Sequence, residues 1–78
     1  MADLKTTLHD IAAAIVDTPD EVRVTMEEDD REINLTLSVA ADDMGMVIGK
    51  HGKIAKAIRT VIKAAAADSG KKVNVEIR

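Results

Sequence analysis

No aromatic residue and no cysteine occurs in the 78 residues of this chain. Without Phe, Tyr or Trp it cannot read nucleic acid by stacking bases on aromatic rings, as an RRM sheet or an aromatic-lined OB groove does. Without Cys there is no disulfide framework, thiolate zinc site or cysteine nucleophile. Long apolar runs are missing too. The longest, Ile11 to Val16, has six residues, against about 20 for a membrane span. The start, Met-Ala-Asp-Leu-Lys, lacks the basic-then-apolar order of a signal peptide. These absences lead us to expect a cytoplasmic chain with no membrane partner.

What is present has a globular balance, 46% hydrophobic and 32% charged, and the length suits one domain over residues 1–78. The net charge of −3 hides a division along the chain. Residues 1–43 hold 3 basic and 12 acidic side chains, a balance of −9. Residues 44–78 hold 8 basic and 2 acidic, a balance of +6. Local field, not total charge, governs binding, so a polyanion is drawn to the second half and repelled by the first.

Apolar spacing predicts the elements. Leu4, Leu8, Ile11, Ala12 and Ile15 form one helical stripe, with Asp3 as N-cap and Asp17-Thr18-Pro19 as the stop. Val22, Val24 and Met26 alternate with Arg23, Thr25 and Glu27, a strand with one buried face. Glu28-Asp29-Asp30 is a polar turn, and Ile33, Leu35, Leu37 and Val39 mark a second strand, giving an antiparallel hairpin. Asp42 or Asp43 is expected to cap a short helix with Met44, Val47 and Ile48 on its apolar side, ending at Gly49. A long helix follows Gly52 to about Ala67, with Ile54, Ile58, Val61, Ile62 and Ala65 as its inner stripe and Gly70 as its C-terminal cap. Val73, Val75 and Ile77 mark a third strand. The two-helix crossover is long enough to join parallel strands. The fold class is therefore α+β, ordered α-β-β-α-α-β, with a three-stranded mixed sheet and three helices packed on one face.

The segment Val47-Ile48-Gly49-Lys50-His51-Gly52-Lys53 joins two helices through a tight turn. Gly49 is expected to take positive φ, and Gly52 to let another backbone come close. Unpaired N–H groups at the start of the long helix, with its dipole, favour a phosphate. With Ile54 at zero and the stripe centred near 20°, Lys53, Lys56, Arg59, Thr60 and Lys63 fall at about 260°, 200°, 140°, 240° and 180° by the helix period. They are expected to form one exposed basic face. Lys71 and Lys72 follow in the next loop, and the sequence leaves open whether these two or Lys63 touch a ligand.

A Gly-x-x-Gly turn alone is weak evidence, because many helix-to-helix turns match it. Here Val-Ile precedes it, basic residues fill it, a basic amphipathic helix follows it and an α-β-β arrangement comes before. With these features the sequence resembles the KH domain in its type II arrangement. From Asp42 to Thr60 it resembles the KhpA family of small bacterial single-KH proteins. Ala55 departs from the general pattern, since many KH domains carry Ile there. The resemblance implies single-stranded RNA binding without catalysis, with about four nucleotides clamped at the loop. The RNA-binding residues it implies are Ile48, Gly49, Lys50, His51, Gly52, Lys53, Lys56 and Arg59. Bases would cross an apolar groove edged by the middle strand and Ile48. It further implies an RNA chaperone or post-transcriptional regulator that pairs with itself or with a larger KhpB-type KH protein, with no cofactor and no small-molecule substrate.

Two other function classes compete. A protein-interaction module would use the fold mainly to dimerise, with Met46 and the region around Ile54 as an apolar patch. An enzyme is disfavoured: no His–carboxylate set converges, and the turn lacks the P-loop spacing. A metal role for His51 is disfavoured because His9, the other histidine, lies on a distant helix. The Glu27–Asp30 run lacks the spaced ligands and glycine of a calcium loop.

Overall fold

The computed structural model describes residues 3–78. Helix α1 spans Leu4–Ile15, strands β1 and β2 span Arg23–Glu28 and Glu32–Ser38, helices α2 and α3 span Met44–Ile48 and Lys53–Ala65, and strand β3 spans Lys72–Ile77. The sheet runs β1-β2-β3, with β2 antiparallel to β1 and parallel to β3. This is the expected α+β fold.

Alternation in the strands sets the layers. Val24, Ile33, Leu35, Leu37, Val73 and Val75 turn inward and are buried. Leu8 and Ala12 of α1 and Ile58 and Ile62 of α3 meet them from the helical side. The opposite sheet face is polar, with the Asn74 side-chain amide donating to Asn34 Oδ1 at 2.8 Å across neighbouring strands. At the start of α1, the Asp3 carboxylate accepts from the Lys5 N–H (3.0 Å) and the Thr6 hydroxyl (3.1 Å), as its N-cap reading expects. In the hairpin turn, Asp29 Oδ1 accepts from the N–H groups of both Arg31 and Glu32 at 2.8 Å.

Three local readings are corrected. Neither Asp42 nor Asp43 caps α2. A tight 3₁₀ turn, Ala41–Asp43, leads into the helix, and Asp43 is itself in helical backbone (φ −96°, ψ −6°), whereas a capping side chain needs an extended one. The Asp43 carboxylate instead points inward, 2% exposed, and accepts from the Thr18 N–H at 2.9 Å. It ties the chain after α1 to the root of α2. Second, α3 ends at Ala65, and Gly70 (φ +69°) closes a separate turn, Ala67–Ser69, rather than capping α3.

The third correction concerns which side of α3 faces in. The buried residues are Ala55, Ile58, Ile62 and Ala66, centred about 60° from the expected stripe. Ile54 and Val61 are instead 38% and 48% exposed. Helix periodicity returned an apolar arc wider than the core needs, and its edge near Ile54 stays in solvent.

Candidate functional site

Helix α2 stops because Gly49 leaves helical space, at φ +74°, ψ +174°. Its N–H still donates back to Gly45 O at 2.9 Å. The Gly52 N–H closes the turn onto Gly49 O at 3.2 Å, and the Lys53 N–H bonds to Lys50 O as α3 begins. The N–H groups of Lys50 and His51 have no backbone acceptor among the described residues. Two adjacent donors are therefore left at the tip, beside the N-terminus of a 13-residue helix.

Gly49 takes the positive φ expected of it, but the close approach expected at Gly52 is not found there. Gly52 has left-handed backbone (φ +72°, ψ +14°), and a Cβ there would meet nothing within 4 Å. Its requirement is conformational. Gly49 is the position of close approach: a Cβ would lie 2.6 Å from Ile54 Cγ1 and 2.8 Å from Ile54 Cβ. The neighbour is a side chain, not another backbone. Ile54 thus sits over Gly49 and holds the turn against α3. His51 is also left-handed (φ +59°, ψ +24°), the one non-glycine residue in that region among those described. Such a backbone costs about 1–3 kcal/mol and persists only where its surroundings enforce it.

Lys50, His51, Lys53 and Lys56 are exposed, Ile48, Gly49 and Gly52 half-buried. Lys53, Lys56, Thr60 and Lys63 share the exposed side of α3, opposite its corrected buried arc. None of the lysines at 50, 53, 56 and 63 has a carboxylate within 4 Å among the described residues. Arg59 leaves this group. The corrected arc brings it to the margin of the buried side, and its Nε donates to the Val75 carbonyl at 3.2 Å. The strand beside α3 at Arg59 is therefore the edge strand β3, not the middle strand. Lys71 is held at 2.6 Å by Glu28, which withdraws it from the basic face.

The model described as the KH domain of KhpA/KhpB matches residues 5–77. The chain belongs to this family. It is 57% identical over 74 residues to the RNA-binding protein KhpA of Clostridium acetobutylicum, covering 95% of this chain and 99% of that one. The RNA-binding protein KhpA of Halalkalibacterium halodurans is 47% identical over 74 residues, covering 95% and 97%. That of Bacillus subtilis is 54% identical over 67 residues, covering 86% and 83%.

Within this KhpA/KhpB KH domain, sequence reasoning missed two contributors. Val75 supplies the carbonyl that fixes Arg59, and only the rotation of α3 reveals it. Asp43 anchors the helix leading into the turn. Its place beside Asp42 in an acidic pair gave no sign of which carboxylate is buried.

Proposed function

We propose that this KH domain binds single-stranded RNA without catalysis, through its Gly-Lys-His-Gly turn, as a cytoplasmic RNA chaperone or post-transcriptional regulator. The observation that carries this reading is the pair of backbone donors at Lys50 and His51, free at the tip beside the start of α3. A phosphodiester accepts from both, and the helix dipole adds attraction. Gly49 and Gly52 let the backbone take this course, and Ile48 lies at the foot of the base-binding groove. Lys50, Lys53 and Lys56 supply full charges, with Lys63 farther along the same side. Arg59 works differently: its Nε is committed to Val75, so its terminal nitrogens meet bases or sugar from a fixed position. The names of the RNA-binding relatives support RNA as the ligand.

The test is Lys50→Asp with His51→Asp. Binding to a mixed oligoribonucleotide is lost while the circular dichroism spectrum is unchanged. For the native chain, log affinity falls against log salt with a slope of about −2 to −3, as three or four phosphate contacts on a single strand require. Retained binding with an unaltered slope overturns the mechanism.

A second reading rests on Ile54 and Val61, both exposed on α3. We infer that this apolar stripe contacts a larger KH protein of the KhpB type, so that two linked RNA sites gain avidity. Val61→Glu then abolishes co-purification with that partner and leaves the isolated chain's RNA affinity within about twofold. Equal loss of both, or of neither, contradicts it.

A further inference from the structure

Strand β1 is the sheet edge opposite β3, beside which α3 lies. Its register decides which groups face out. The Asp29 N–H donates to Glu32 O at 3.0 Å, and pairs run from Arg23↔Ser38 to Glu28↔Ile33. Bonded pairs alternate in an antiparallel ladder. Arg23, Thr25 and Glu27 therefore turn their backbone groups to β2, and Val24, Met26 and Glu28 turn theirs outward. No backbone group among the described residues bonds these three on the open side. No proline or lysine blunts the edge within β1.

Two cavities of opposite character flank this edge. The first, about 620 Å³, lies between α1 and the start of β1, with Lys5 and Arg23 in its lining and Val22 and Val24 at its floor. Lys5 and Arg23 are two of the three basic side chains in residues 1–43. Neither has a carboxylate within 4 Å among the described residues. The second, about 270 Å³, lies between the start of α1, the end of β1 and the end of α3. Leu4, Met26 and Ile33 make it apolar, and its lining holds the carboxylates of Asp3, Glu28 and Asp68 with no basic side chain among the described residues. Lys71 reaches Glu28 from outside that lining. Asp3 borders both cavities, its carboxylate engaged by the Lys5 N–H and the Thr6 hydroxyl.

We propose that β1 takes up an extended segment of another protein as a fourth, antiparallel strand, and that this segment carries a basic, an apolar and an acidic residue at alternate positions, in that order. Alternate side chains of an added strand share one face. The basic residue lies opposite Glu28, among the carboxylates of the second cavity. Two positions on, the apolar residue lies opposite Met26, which is 38% exposed. Two further on, the acidic residue lies opposite Val24 and reaches Lys5 and Arg23. Each of the three exchanges both backbone hydrogen bonds with the residue it faces. Opposite charges across the strands at both ends fix the register, since a slip sets like charges together. RNA suits the edge poorly, because it offers no row of amide donors and its phosphates are repelled by Glu27 and Glu28. So short an edge, six residues, buries less than the roughly 1,200 Å² of a stable complex, and the binding is weak and reversible.

The probe is the peptide acetyl-Thr-Lys-Thr-Val-Thr-Glu-Thr-amide, titrated into the full ¹⁵N-labelled chain. A second peptide has Lys in place of Glu. The first peptide shifts the amides of Val24, Met26 and Glu28 saturably and leaves those of Lys50 and His51 in place, and the second binds about fivefold more weakly. The Lys5→Glu, Arg23→Glu chain reverses this preference; an acidic residue in the first turn of α1 suits the helix dipole, so the fold is kept. Met26→Pro removes one outward N–H, which an edge strand tolerates, and abolishes binding with an unchanged circular dichroism spectrum. The Lys50→Asp, His51→Asp chain binds the first peptide as the native chain does, so the outcome is separate from that of the RNA reading. Absence of saturable binding overturns the proposal, as do shifts confined to α3, equal affinity for the two peptides, or an unreversed preference in the charge-reversed chain. Displacement of the peptide by an oligoribonucleotide, or by raising the concentration of the chain itself, assigns the edge to RNA or to a second copy and overturns it too.

Discussion

Replacing Gly49 by Ala distinguishes two reasons for a glycine, and the structure supplies the magnitude. At φ +74°, ψ +174° the backbone occupies a region open essentially to glycine alone, at a cost of about 1–3 kcal/mol for any other residue. The added methyl would also lie 2.6 Å from Ile54 Cγ1 and 2.8 Å from Ile54 Cβ. The Cβ cannot swing aside by rotamer change, so the helix start must shift, adding about 1–3 kcal/mol as an overpacked site does. The sum is about 2–6 kcal/mol. Gly52→Ala meets open space and carries only the left-handed penalty of about 1–2 kcal/mol. The chain has no aromatic reporter, so the assay is thermal unfolding followed by far-ultraviolet circular dichroism. Gly49→Ala is expected to lose roughly 8 °C or more in Tm and Gly52→Ala about half of the Gly49→Ala loss or less, at about 4–8 °C per kcal/mol for a domain of this size. Adding Ile54→Ala should recover part of the Gly49→Ala loss, since Cγ1 and Cδ1 go while Cβ remains. Equal costs at the two glycines, or no coupling to Ile54, would refute the assignment of close approach to Gly49.

Asp43→Ala leaves the Thr18 N–H without its acceptor and costs about 1–3 kcal/mol, while Asp42→Ala, at an exposed neighbour, shifts the urea midpoint negligibly. Acid should also lower the stability of the chain through the Asp3 and Asp29 carboxylates. The Thr6 hydroxyl, then the Lys5 N–H, hold the Asp3 carboxyl below its ordinary value, and the N–H groups of Arg31 and Glu32 do the same for Asp29. With folded values depressed, their stabilisation is complete above the unfolded carboxylate pKa of about 3.9 and lost as pH falls through the lower folded values. Urea midpoints between pH 6 and pH 2.5 should therefore drop at the acid end, and Asp29→Asn should flatten that drop; an unchanged acid limb contradicts it.

The element order was legible because each strand alternates cleanly and the helices carry apolar spacing, so the α+β sheet and its parallel third strand followed from pattern and crossover length. The turn was legible from Gly49 and Gly52, but not which glycine is crowded, because the crowding atom belongs to Ile54 and depends on how α3 is rotated. That same rotation misled the reading of Arg59. Five apolar positions on α3 defined an arc, and nothing in the sequence says that the core takes the side of Ala55 and Ala66 rather than that of Ile54 and Val61. Small alanines weigh little in a hydrophobic pattern, yet they let α3 pack closely against its neighbours. His51 in left-handed backbone was hidden as well, since local sequence favours glycine there.

The most direct measurement of the central claim is a nuclear magnetic resonance titration of the ¹⁵N-labelled chain with a mixed oligoribonucleotide. The Lys50 and His51 amides are expected to move first and furthest, with Gly49, Gly52, Lys53 and Lys56 following, while β1 and the hairpin turn stay still. RNA that perturbs the sheet face or the hairpin, while the Lys50 and His51 amides keep their positions, would contradict it.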